Sequence, residues 1–180
     1  MDDTRIGRAV YALARYVALA GGIVLVVVTA TTVISVIGRS LLWTRLGFRP
    51  IPGDYELVEA GVLFAVFSFL PWCHLTRAHA IVAVLSDRFS VRANVVIEAI
   101  MDLLMLGVAL FIAWRHCLGI LDKFAYRETT LLLRMPLWWV YAAGMIGAVV
   151  FVIAAAYCLV RSSAAAAARH PRMPESGFSE

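Results

Sequence analysis

The sequence predicts an all-α integral membrane protein, with four transmembrane helices in a bundle and short amphipathic helices at the membrane surface. Apolar residues make up 62% of the 180-residue chain and charged residues only 16%, against roughly a half and a quarter in soluble domains. The mean hydropathy is +0.85. A soluble domain of this length keeps much of its surface in water and could not bury such an excess.

Four apolar runs define the domain organisation. We predict an amphipathic N-terminal segment over residues 1–16, a transmembrane domain over 17–161 and a flexible polar tail over 162–180. The spans are predicted at about 17–37, 57–75, 95–114 and 136–160. About 20 helical residues at 1.5 Å each match a hydrocarbon core of about 30 Å. Four spans put both termini on one side, and the arginine bias favours the cytoplasmic side for them.

The charged flanks predict surface helices. Arg5, Arg8 and Arg15 fall on one side of the N-terminal segment, which is typical of a helix lying on an anionic membrane surface. An ordinary charged helix end is the alternative. A second surface helix is predicted after the second span, over residues 76–94.

Carboxylates stand at the start of the second span. Asp54 follows a proline-rich loop and is predicted as the N-cap of the helix. Glu56 would add negative charge near the helix N-terminus, where it is favourable. Glu59 is three residues further on, so it shares a helix face with Glu56.

The third span contains an acidic residue at an unusual depth. The uncharged run Leu103–Trp114 is only about 18 Å long as a helix, too short for a core of about 30 Å. Asp102 must therefore enter the membrane zone and pair with a cation of the segment before it, or lie at headgroup depth as a solvated helix start. The candidate cations are Arg77, His79, Arg88 and Arg92.

The fourth span follows a charged loop predicted from Arg115 to Met135. Pro136 is a favourable first helical residue. Trp138 and Tyr141 lie where aromatic side chains favour the membrane interface. Small residues four apart, Gly144 with Ala148, permit close helix contact.

The motifs exclude most chemistry. We predict no catalytic residue, no cofactor and no metal site, because no phosphate-binding loop, nucleophile motif or paired cysteine occurs. A nucleic-acid partner would need a basic folded surface with stacking aromatics, which is absent. Two alternatives stay open: an oligomeric channel or exporter lined by Asp102 and Glu59, and a haem-binding membrane anchor, which the histidine positions disfavour.

The motifs, in this order, resemble those of the small membrane subunit (DctQ-like) of tripartite ATP-independent periplasmic (TRAP) transporters. The residues that carry the resemblance are Arg39, Gly53–Glu59, Arg77 with His79, Glu128–Thr130, Leu133, Pro136, Trp138 and Tyr141. One position departs from the pattern: Ala83 stands where the family often has an aspartate. Glu98 or Asp102 could supply that carboxylate.

The resemblance implies a role without catalysis. Such a subunit scaffolds a large membrane subunit, which imports an organic acid with an ion gradient, typically sodium. A periplasmic substrate-binding protein delivers the acid. The implied partners are these two proteins and the lipids of the bacterial inner membrane. The expected structural or interface residues are Arg39, Asp54, Glu56, Glu59, Arg77, His79, Asp102, Pro136, Trp138 and Tyr141.

Overall fold

A computed structural model describes residues 5–40, 52–76 and 91–167. These residues form four helices and no strand: α1 (Arg5–Ser40), α2 (Asp54–Leu75), α3 (Val91–Ala125) and α4 (Leu137–Ala167). Each of the four is long and apolar enough to cross a membrane. The predicted all-α class with four membrane-spanning helices is therefore confirmed. Arg77, His79 and Arg88 lie outside the described residues.

Helix α1 is one unbroken rod. Its 36 residues correspond to about 54 Å, well beyond a hydrocarbon core of about 30 Å. The basic N-terminal segment and the first apolar run therefore continue one another without a turn. The second predicted surface helix lies outside the described residues except for 91–94, which open α3.

Helix α3 is longer than the sequence indicated. The loop predicted from Arg115 is wrong for residues 115–125, which continue the helix to Ala125. Arginine is a good helix former, and the exposed Arg115 side chain leaves the backbone hydrogen bonds intact. The connection to α4 is correspondingly short.

The helices pack in the spatial order α1, α2, α4, α3. Helices α2 and α4 form the central pair, α1 packs along α2, and α3 packs along α4. Helix α1 touches α4 over a smaller area. The chain thus consists of two helical hairpins, α1–α2 and α3–α4. The two hairpins pack against each other through α2 and α4.

Small residues set the distances from α2 to its neighbours α4 and α1. A Cβ added to Gly147 of α4 would lie 2.5 Å from the backbone carbonyl oxygen of Phe67 in α2. A Cβ on Gly61 of α2 would overlap the side chain of Val28 in α1. Lipid offers no hydrophobic drive for helix association, so such close packing is a main source of stability in membranes.

The outer helices expose apolar faces. In α1, Ile23 and Val26 are 66% and 69% exposed. In α3, Phe111 and Trp114 are similarly exposed. Exposed apolar surface of this extent is what a membrane-embedded protein presents to lipid or to another membrane subunit.

Candidate functional site

A buried carboxylate joins the end of α1 to the start of α2. The Ser35 hydroxyl donates a hydrogen bond of 2.6 Å to Oδ2 of Asp54, and Arg39 reaches the same oxygen at 3.4 Å. The other oxygen accepts the backbone N–H of Tyr55 at 3.0 Å. Asp54 is 7% exposed, so these donors supply the hydrogen bonds that the carboxylate loses when it is removed from water.

The predicted N-cap position of Asp54 is wrong by one residue. The N-cap of α2 is Gly53, in the left-handed conformation with φ of 81°. Asp54 is the first helical residue. One of its carboxylate oxygens accepts from Ser35 of α1, and the other accepts the backbone N–H of Tyr55 in the first turn of its own helix. The Pro52-Gly53 pair was the available signal, because glycine supplies the left-handed conformation that this turn requires.

Glu56 holds the loop between α3 and α4. Its two carboxylate oxygens accept the backbone N–H groups of Leu132 and Leu133 at 2.7 and 2.9 Å. The sequence predicted only a favourable charge near the helix N-terminus, whereas the structure shows a contact across 76 residues of chain. Glu59 is exposed and bonds to no other side chain or backbone group among the described residues, so the two glutamates are not equivalent.

The loop, residues 126–136, is internally bonded. Thr129 and Pro136 form an antiparallel bridge, and the Thr130 N–H donates to the Met135 carbonyl at 2.9 Å. Arg127 and Arg134 adopt left-handed conformations, with φ of 49° and 52°. The loop is therefore a compact hairpin-like turn, and it carries Leu131, 93% exposed, at its tip.

Aromatic residues brace the start of α4. The rings of His116 and Tyr141 stack with centroids 5.2 Å apart, and His116 Nε2 lies 2.8 Å from the Tyr141 carbonyl oxygen. Because the carbonyl only accepts, this nitrogen carries the proton. Trp138 packs edge-on against Phe124 of α3. The sequence predicts Trp138 and Tyr141 at the membrane interface. In the structure both side chains also hold the start of α4 against α3.

Pro136 has a slightly different place from the predicted one. Helix α4 begins at Leu137, and Pro136 precedes it as part of the loop bridge. The Pro136 carbonyl accepts the N–H of Trp139 at 3.2 Å. Its fixed φ suits this last position before the helix.

At the other end of the molecule, Asp102 meets a histidine. Asp102 Oδ1 lies 3.9 Å from Nε2 of His74, and both side chains are more than nine-tenths buried, at 8% and 5% exposure. The distance is long for a hydrogen bond but allows charge attraction when the imidazole is protonated. The proposed solvated position of Asp102 is wrong, since it faces α2 inside the protein.

Tyr11 joins α1, α2 and α4 at the end of the bundle that holds the start of α1. The Tyr11 hydroxyl donates to the Leu75 carbonyl at 3.2 Å and accepts from Arg161 at 3.4 Å. The Leu75 carbonyl is one of the last in α2, where no helical N–H remains to pair with it. The beginning of α1 and the end of α4 therefore lie at the same end of the molecule, opposite the Glu56 contact.

The site is thus a set of contacts between the helices and the loop. Asp54, Glu56 and Arg39 come together near one end, and Asp102 lies near the other. Sequence reasoning missed Ser35, His74 and His116 as partners. Within the described ranges, no group of three or more histidine, cysteine, aspartate or glutamate side chains could hold a metal ion.

These features define a class of protein: a multi-pass α-helical membrane protein whose polar contacts tie its own helices and loop together. The family of tripartite ATP-independent periplasmic transporters, DctQ component, matches residues 28–165. The chain belongs to this family, the small membrane component of the transport systems named. No curated protein and no solved structure matches it.

Proposed function

We propose that the chain is the small permease subunit of a TRAP-type secondary transporter, and that it scaffolds the large transport subunit in the bacterial inner membrane. The observation that carries the proposal is the family match over residues 28–165. In this function the large subunit imports an organic acid with a sodium gradient, after delivery by a periplasmic binding protein. The chain itself performs no catalysis, and both termini face the cytoplasm.

The geometry supports a scaffold in two respects. The central helices α2 and α4 are locked by glycines, and both ends of the bundle carry contacts between distant residues. A rigid frame of this kind holds a moving partner without moving itself. The exposed apolar faces of α1 and α3 offer surface for a membrane partner and for lipid.

Co-purification tests the proposal. The tagged chain is extracted from its native membrane in mild detergent, and the eluate is identified by mass spectrometry. We expect a stoichiometric large polytopic protein, whose uptake of organic acid is then measured in proteoliposomes with the binding protein and a sodium gradient. A homo-oligomer without a partner would contradict the proposal and favour a channel, and haem absorbance would favour a respiratory anchor.

The Asp102–His74 pair gives a prediction about this complex. Asp102→Asn removes the negative charge beside His74 at nearly constant volume. We expect a destabilisation of about 1–3 kcal/mol and a lower yield of the complex with the large subunit, measured by quantitative co-purification. Asp122→Asn is the control, because Asp122 is exposed on the same helix. An unchanged yield for Asp102→Asn would show that the pair is dispensable.

A further inference from the structure

One face of α1 changes from basic to apolar along its length. Arg8, Arg15 and Gly22 are spaced by seven residues, as are Leu19 and Val26. Seven residues are nearly two helical turns, so all five lie along one side of the helix. This side is basic up to Arg15 and apolar beyond it.

The apolar part of this face forms one side of an open groove. Helix α2 supplies the other side with Phe69 and Trp72. Gly22 leaves room in it, because a Cβ there would have no neighbouring atom within 4 Å. The groove is lined by Arg15, Ala18, Leu19, Gly22, Ile23, Val26, Val27, Phe69 and Trp72.

The dimensions of the groove match one membrane leaflet. Arg15 and Val27 are 12 residues apart on α1, which is about 18 Å, slightly more than half of a core of about 30 Å. Trp72 lies at the Arg15 end, where it packs against the cluster that contains Val10 and Ala14. Tryptophan favours the boundary between headgroups and acyl chains.

We propose that this groove, the α1–α2 groove, binds one anionic phospholipid. The phosphate pairs with the guanidinium of Arg15, and an acyl chain lies over Gly22 towards Val27. Charge complementarity selects the headgroup, since arginine binds phosphate through several aligned N–H donors. The apolar lining suits a hydrocarbon chain along its whole length, and Arg15 is the only charged group among the described residues that line it.

Native mass spectrometry of the full chain tests the site. The protein is delipidated in detergent and titrated with phosphatidylglycerol or phosphatidylcholine of identical acyl chains. We expect one phosphatidylglycerol to bind several-fold more tightly than phosphatidylcholine. Arg15→Gln should weaken phosphatidylglycerol binding about fivefold, and Gly22→Leu should weaken both lipids by filling the groove.

Matched variants separate a site from general lipid contact. Gly107→Leu places the same side chain on a glycine of α3 that is equally open, and Arg115→Gln removes an exposed arginine from the same helix. Both should bind lipid as the wild type does. Equal losses in these controls, or no preference for phosphatidylglycerol, would overturn the proposal. Crosslinking from Gly22→Cys to a protein of the native membrane, instead of to lipid, would also overturn it.

Discussion

Gly147→Val is expected to destabilise the protein by about 3 kcal/mol or more, the upper end of the roughly 1–3 kcal/mol that overpacking usually costs. The added Cβ alone would lie 2.5 Å from the carbonyl oxygen and 2.6 Å from the carbonyl carbon of Phe67. These are backbone atoms of a helix, so no side-chain rotation relieves the overlap. Helices α2 and α4 must separate, which also removes the contact of Gly144 with Leu63. The measurement is the melting temperature of the purified protein in detergent.

Gly107→Val provides the comparison. Both substitutions gain the same helix propensity, about 0.5 kcal/mol or less, because valine is a better helix former than glycine, but a Cβ at Gly107 would meet no atom within 4 Å. We expect its melting temperature to stay near that of the wild type. If both variants melted alike, the close approach of α2 and α4 would not be a source of stability.

Glu56→Ala is expected to release the loop of residues 126–136 from α2. The substitution leaves the N–H groups of Leu132 and Leu133 without the carboxylate that accepts them. Amide hydrogen exchange at these two positions should accelerate on the order of tenfold or more. Exchange in the middle of α4 should change little, because the glycine contacts remain. Exchange resolved by mass spectrometry measures both regions at once.

Glu59→Ala is the matched control for this prediction. It removes the same charge from the same helix, one turn away, but from an exposed side chain. Glu56→Gln should give an intermediate result, since an amide offers one acceptor oxygen in place of two. Equal exchange rates in Glu56→Ala and Glu59→Ala would mean that the internal bonds of the loop hold it unaided.

The sequence predicted the helices well because their signal is local. Four predominantly apolar runs follow from hydropathy alone, and each corresponds to a helix. Gly144 and Ala148 were also recognised, because small residues one turn apart mark a packing face. Of the two adjacent glycines in α1, Gly21 meets Ser68 of α2. Gly22 faces the open groove, a difference that depends on helix rotation.

The contacts of the site were harder to predict because they join distant residues. Ser35 stands in an apolar run, where a serine most often bonds its own helix, and its bond to Asp54 depends on the antiparallel register of α1 and α2. The Glu56 contact requires the shape of a loop in which two arginines have positive φ. Such conformations are uncommon for residues other than glycine and leave no sequence pattern. Only the position of the charged residues at helix ends could be predicted.

The pairing of two helical hairpins constrains the order of assembly. The first hairpin, α1–α2, contains its own Asp54 contact and can form as soon as it enters the membrane. The two contacts that close the molecule, Glu56 with the loop and Tyr11 with Arg161, both require residues from the last third of the chain. A chain that ends before Leu132 would lack the donors for both acceptors in the first hairpin. These contacts of Glu56 and Tyr11, at opposite ends of the bundle, therefore form only after the last third of the chain has been made.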